Sequence, residues 1–362
     1  VALKPWAAAL SGALLAVAAF AHHGFDAAKP QHTPEGFRNV TGAQVAKPLS
    51  WLLRWRWEAW RAGLPPAARQ PTPVVPPQLE LLQARQPSAT WIGHATVLVQ
   101  SGGLNILTDP VFSERASPVG FAGPRRSQPP GIALADLPPI DVVLISHNHY
   151  DHLDQTSVVQ LNARSGGRTL FLVPLGIKAF LEREGITHVV ELDWWDVHRV
   201  QGVEFHFVPV QHWSARGLDD RMETLWGGWC VFAPDLRWYF SGDAGYSRHF
   251  ADTRERLGAH ARDGLLFDLA LLSIGAYEPR WFMREQHMDP ADAVQAHRDL
   301  GARRSIGVHW GTFELTDEAL DQPPLDLAAA RQASGLPEEA FGVLPIGGTW
   351  RPAGAPGPAP KQ

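Results

Sequence analysis

From Thr90 to Gln100 the chain has the alternating pattern of a half-buried strand, and Leu104 to Thr108 reads as its hairpin partner across Ser101-Gly102-Gly103. Val142-Val143-Leu144-Ile145 is a continuous apolar run, which suits a strand buried on both faces. Thr169 to Val173, Val203 to Val208, Trp238 to Ser241, Leu269 to Ser273 and Ser305 to Val308 are further strand candidates. Helical stretches are predicted at Ile177 to Arg183, Ala291 to Leu300 and Leu325 to Ser334. Strands alternating with helices over 89–350 predict one α/β domain. No internal repeat of fixed period interrupts it.

The N-terminal part reads differently. Lys4, the uncharged run Trp6 to Phe20 and the small-x-small triplet Ala19-Phe20-Ala21 predict a signal peptide over 1–21, with a buried helix as the plainer alternative. The run is short for a bilayer span. Export would place the protein in the periplasm or at a membrane; without a working leader it would be cytoplasmic. Residues 22–88 form a Pro/Trp-rich extension, with Pro65-Pro66 and Pro73 to Pro77 marking linkers. Between them, Pro48 to Gly63 carries Trp51, Trp55, Trp57 and Trp60 interleaved with Arg54, Arg56 and Arg61. Such a helix either packs on the domain, its arginine stems covering apolar surface, or lies in a membrane interface. Residues 351–362, rich in Pro, Ala and Gly, predict a disordered tail.

Composition changes this picture little. The net charge of −5 and the lack of a long basic run point away from nucleic acid. The single cysteine, Cys230, excludes an internal disulfide and reads as a buried small hydrophobe. His22, His23 and His32 read as solvated chain, an auxiliary metal site being the alternative.

The chemistry is concentrated directly after the Val142–Ile145 strand, in Ser146-His147-Asn148-His149-Tyr150-Asp151-His152-Leu153-Asp154. Imidazole nitrogens and carboxylate oxygens suit zinc and similar divalent ions. His147 and His149 point the same way along an extended segment, while Asp151 and His152 begin a turn that can face a second ion. Three later strands each end in one ligand-capable residue: His212, Asp243 and His309. One histidine at a strand end is commonly structural; a dense cluster followed by three such ends is a metal-centre pattern.

The order HxHxDH, then His, Asp and His, resembles the metallo-β-lactamase fold hydrolases, a resemblance covering roughly residues 89–350. It implies an αββα four-layer sandwich. It also implies His147, His149 and His212 on one zinc, Asp151, His152 and His309 on a second, and Asp243 bridging; iron or manganese are the other metals to expect. Trp91-Ile92-Gly93-His94-Ala95-Thr96, Thr108-Asp109-Pro110-Val111-Phe112, Glu191-Leu192-Asp193-Trp194-Trp195, Gln211-His212-Trp213-Ser214-Ala215-Arg216 and Gln286-His287-Met288-Asp289-Pro290 resemble the N-acylphosphatidylethanolamine-hydrolysing phospholipases D. That likeness implies a zinc-dependent phosphodiesterase releasing N-acylethanolamine and phosphatidic acid. The alternatives are a lactonase or other small-ester hydrolase of the same fold, and a non-catalytic lipid-binding envelope protein. The partner it implies is a phospholipid; peripheral membrane association and a homodimer are further options the sequence leaves open.

Catalytic roles are expected for Asp151 and Asp243, which can orient or accept a water proton, and for His287 near the leaving group, a plain structural histidine being the alternative. Asp109 and Asp154 are candidates to fix a ligand imidazole by hydrogen bonding. His94, on the Thr90–Val99 strand, either supports a ligand in this way or is merely packed. Arg216, Arg280 and the loop Arg115 to Arg126 could bring guanidinium groups to a phosphate, or be solvated.

Overall fold

The computed structural model describes residues 25–354. The signal-peptide reading, His22 and His23, and the tail beyond 354 lie outside them. The chain first forms a small hairpin, β1 (His32–Thr33) and β2 (Gly36–Phe37), then helices α1 (Leu49–Ala62) and α2 (Leu79–Ala84).

Two seven-stranded sheets follow. The first joins β3 (Ser88–Gly93), β4 (Thr96–Ser101), β5 (Leu104–Thr108), β6 (Val142–Leu144), β7 (Leu170–Pro174) and β8 (Val189–Leu192), with helices α3 (Gln155–Arg164) and α4 (Lys178–Arg183) between strands. The second joins β9 (Val197–Val200), β10 (Val203–Val208), β11 (Gly228–Phe232), β12 (Arg237–Phe240), β13 (Phe267–Ser273), β14 (Ala302–Val308) and β15 (Phe341–Val343). Helices α5 (His249–Arg256), α6 (Arg280–Met283), α7 (Pro290–Leu300) and α8 (Gln322–Ser334) are interleaved with it, and β16 (Thr349–Trp350) returns to pair with β3. Each sheet is antiparallel in one half and parallel in the other. Parallel neighbours need crossovers, which is why the helices gather beside those halves.

Alternation sets the layers. Val97 and Val99 of β4 face the other sheet and meet a core containing Phe205, Phe207, Trp229 and Trp238. Leu98 between them faces outward, with Leu107, Val143 and Phe171, under Val158 and Leu161 of α3 and Phe180 and Leu181 of α4. On the far side α7 packs on β13 and β14, and α8 on β15. The architecture is therefore two sheets between helical layers, as expected.

The Thr90–Gln100 segment is not one strand. It breaks after Gly93 into the hairpin β3–β4, with Gly93 at φ 137° and His94 at φ 53°. The left-handed turn lifts His94 out of the strand. The tryptophans also have a task beyond filling volume: Trp229 Nε1 donates to Ile145 O (3.0 Å) and Trp226 Nε1 to Val210 O (3.1 Å), so buried indoles tether the segments leading into His147 and His212.

From residue 25 the extension is strapped onto this domain. Lys29, Gln31 and His32 converge on the Asp193 carboxylate at 2.5, 2.8 and 2.8 Å. His32 is thus a buried partner and not solvated chain, as its neighbourhood in sequence had suggested. Asn39 donates to His212 O (2.8 Å), Thr41 to Gln211 Oε1 (2.8 Å) and Thr72 to Gly311 O (2.6 Å). The packing expectation for α1 holds for one face: Trp55 and Ala59 are buried against Phe282 and Met283, and Trp55 Nε1 donates to Asp317 (2.8 Å). Trp51 and Arg54 lean on Trp281, and the outer face is open, with Trp57 56% and Trp60 72% exposed. Among the described residues no helix is long and apolar enough to cross a membrane.

Candidate metal centre

The ligand-bearing segments all leave strands toward one end of the sandwich. Asp109 follows β5, the histidine-rich segment follows β6, Asp243 follows β12 and His309 follows β14. Their approach is close: a Cβ on Gly242 (φ 55°) would lie 2.4 Å from Ser146 Cβ, so only glycine lets the Asp243 loop reach the His147 loop.

The structure brings all seven predicted residues together, in two groups. In the first, His147, His149, His212 and Asp243 offer ligand atoms within 4.8 Å of one another. His147 Nε2 lies 2.8 Å from His149 Nδ1, which lies 3.4 Å from His212 Nε2. In the second, Asp151, His152 and His309 satisfy the same limit together with His94. Asp243 reaches both: its Oδ2 is 3.7 Å from His212 Nε2 and 3.2 Å from His152 Nε2, and its Oδ1 is 3.0 Å from His309 Nε2.

The donor set fits divalent cations. His152 Nε2, His309 Nε2 and Asp243 Oδ1 are buried with no hydrogen-bond partner, a costly arrangement unless something else binds them. Burial, together with neighbouring imidazoles, holds His94 and His149 down to about 3, and burial holds His212 down to about 4, so these rings are neutral with lone pairs free. Burial alone would raise the carboxyls of Asp151 and Asp243; the surrounding histidines more than reverse this and keep both well below the usual range. For His309 the burial penalty is outweighed by Asp243 and Asp151, which push it up to about 9. Two fixed negative charges here favour positive charge in the cavity, whether as a bound cation or as protons on histidine.

The ligands are themselves held. Asp109, at φ 30° and fully buried, accepts from Ser146 N (2.7 Å) and Ser146 Oγ (2.6 Å) and lies 2.6 Å from His152 Nδ1. His212 Nδ1 lies 2.8 Å from Gln286 O. Both contacts fix a tautomer with Nε2 toward the centre. His287 sits among the ligands, its ring 5.2 Å from His212 and 5.7 Å from His309, its unpartnered Nδ1 3.8 Å from Asp243.

Several expectations need correction. Asp154 touches no imidazole; it accepts from Ser113 N (3.1 Å) and Ser157 Oγ (2.5 Å). Arg216 Nη1 donates to Asn148 O (2.8 Å) and Leu153 O (2.7 Å), clamping the ligand segment from behind. Arg280 donates to His287 O (2.9 Å) and pairs with Asp289 and Asp292, so it positions His287. Arg115 and Arg125 bond within their own loop, to Gly120 and Gly123 carbonyls and to Glu114, and Arg126 turns inward against Phe313 and the Val111 and Ser113 carbonyls. His94 is the member the sequence left undecided: its Nε2 is 3.0 Å from Asp151 Oδ2 and its ring 4.0 Å from that of His309. A Gly-His pair inside an apparent strand was the available signal.

The Beta-lactamase superfamily domain matches residues 104–310, and the chain belongs to that superfamily, as a metal-dependent hydrolase. Within it, the chain is 40% identical over 274 residues to N-acyl-phosphatidylethanolamine-hydrolyzing phospholipase D 1 of Caenorhabditis elegans, covering 72% of this chain and 75% of that one. The mitochondrial N-acyl-phosphatidylethanolamine-hydrolyzing phospholipase D of Saccharomyces cerevisiae is 33% identical over 263 residues, 70% of this chain and 53% of that one. Among solved structures, isothiocyanate hydrolase from Delia radicum gut bacteria superposes with a TM-score of 0.57 at 20% identity, over 74% of this chain and 100% of that one, a likeness of fold.

Proposed function

We propose that the protein is a phospholipase D type phosphodiesterase that hydrolyses N-acylphosphatidylethanolamine to N-acylethanolamine and phosphatidic acid, using two zinc ions. The observation carrying this reading is the pair of adjacent four-residue clusters, with Asp243 of one lying 3.2 Å from His152 and 3.0 Å from His309 of the other, in a chain 40% identical to an enzyme of that name. His147, His149 and His212 would hold one ion and Asp151, His152 and His309 the other, with Asp243 between them. When bound, the ions supply Lewis-acid charge for the phosphodiester and lower the pKa of a water.

The chain's own residues do the rest. Asp151 and Asp243, both ionised, orient the attacking water and can take its proton. His287 faces the same space, and burial keeps it well below its ordinary value. It therefore meets the substrate as a neutral imidazole and serves as a hydrogen-bond partner for the leaving alcohol. Asp109 and the Gln286 carbonyl keep His152 and His212 in the tautomers this requires.

The lipid reading is supported by what lies beside the site. Helix α1 packs on Phe282 and Met283, a few residues before His287, and presents Leu53, Trp57 and Trp60 outward with Arg54 and Arg56 among them. Apolar rings beside guanidinium groups suit an anionic bilayer surface, and we place the enzyme there, peripheral to the membrane, after export. Mass-spectrometric product analysis tests the function. N-acylphosphatidylethanolamine should yield phosphatidic acid and N-acylethanolamine. Turnover of a lactone panel without any of this phospholipid would overturn the assignment in favour of a small-ester hydrolase.

A further inference from the structure

A second set of metal-capable side chains lies away from the hydrolytic centre and has no part in its chemistry. Glu204 and His206 are two apart on β10, so they share a face of the sheet. His260, in the 3-10 turn Gly258–His260, comes down over that face. The three ligand atoms lie within 4.8 Å of one another: His206 Nε2 is 3.0 Å and His260 Nε2 3.9 Å from Glu204 Oε2. Tetrahedral zinc with bonds of ~2.0–2.1 Å has ligand–ligand edges of about 3.3–3.4 Å, and the two separations straddle that value.

The surroundings hold these groups in place. Phe232 stacks on His260 at 4.0 Å and meets the edge of His206 at 5.2 Å, fixing both rings. Arg199 Nε donates to Glu204 Oε1 (3.0 Å), which leaves Oε2 for the imidazoles. Arg237 Nη1 donates to His260 O (3.2 Å), holding the turn. Glu204 and His260 side chains are 26% and 32% exposed, so a fourth position is open to water. His260 Nε2, at 3.9 Å, faces the carboxylate from beyond hydrogen-bond distance, so hydrogen bonding to Glu204 does not account for its placement. The set is not an annex of the hydrolytic centre: His206 and His212 are six residues apart along extended chain, on the order of 20 Å at the rise of a strand.

We propose that Glu204, His206 and His260 bind a divalent ion of the zinc class, which clips the Gly258–His260 turn onto β10. The nearby Arg199 charge opposes a cation, so the site is weaker than the hydrolytic centre and fills at micromolar free zinc. The test uses the full chain, dialysed to equilibrium against buffer holding tens of micromolar zinc, with bound metal measured by mass spectrometry as the excess of zinc on the protein side. Wild type should retain about one equivalent more than His260→Ala, and zinc added to the already active enzyme should raise Tm in wild type alone. Turnover should be the same in both. Because His206 is buried and its removal can disturb folding, the half-exposed His260→Ala and the isosteric Glu204→Gln carry the comparison. Equal metal content in wild type and both variants would overturn the site. Equal Tm responses would overturn the clip. Neither result depends on which substrate the hydrolytic centre accepts.

Discussion

The metal centre and the outer face of α1 are both built from unusual residues, and they differ in how many contacts determine them. Several histidines at the centre are held from behind: Asp109 for His152, Gln286 O for His212, and Arg280 for the backbone of His287. The outer face of α1 has Trp57 and Trp60 at 5.2 Å from each other and open to solvent. Chemistry needs atoms fixed to fractions of an ångström, whereas adhesion to a fluid surface needs only area and charge. The contrast is one of tolerance, and substitutions in the two regions should differ accordingly.

The largest effect should come from Asp243→Asn, which removes the charge shared by both clusters. Turnover should fall by at least about a thousandfold, with an unchanged circular dichroism spectrum; near-normal kcat would discredit the bridging role. Next is Asp109→Asn, which leaves every ligand present but weakens the hold on His152. We expect a loss of about 10–100-fold in metal affinity or activity, read by titration against a chelator. An affinity equal to wild type would mean Asp109 serves the turn alone. Smallest is Trp57→Ser with Trp60→Ser. Binding to anionic vesicles should drop several-fold while turnover of a soluble phosphodiester stays the same. If vesicle binding is unaltered, α1 is only a packing helix.

The centre was legible in the sequence because its ligands come at ends of strands in a fixed order, and strand ends of an α/β fold converge. His94 was obscured because Gly93-His94 sits inside an alternating stretch, and alternation hides a turn until the backbone angles are seen. Arg216 and Arg280 were hidden for another reason. Guanidinium groups near a phosphate site and guanidinium groups bonded to carbonyls look alike in sequence, and Arg216 and Arg280 are of the second kind. The extension was the least legible part. Outside α1 it has no hydrophobic period, and its attachment there rests largely on polar contacts such as Asn39 with the His212 backbone.

That last pair has an implication for where the chain can be shortened. The backbone of a histidine in the reaction centre is gripped in both directions by a residue 173 positions earlier, Asn39 giving one hydrogen bond to it and taking another. Any shortening of the chain from its N-terminal side therefore works under a limit. A truncation that leaves the strap intact keeps that grip, and one that removes Asn39 takes a strut away from the His212 backbone.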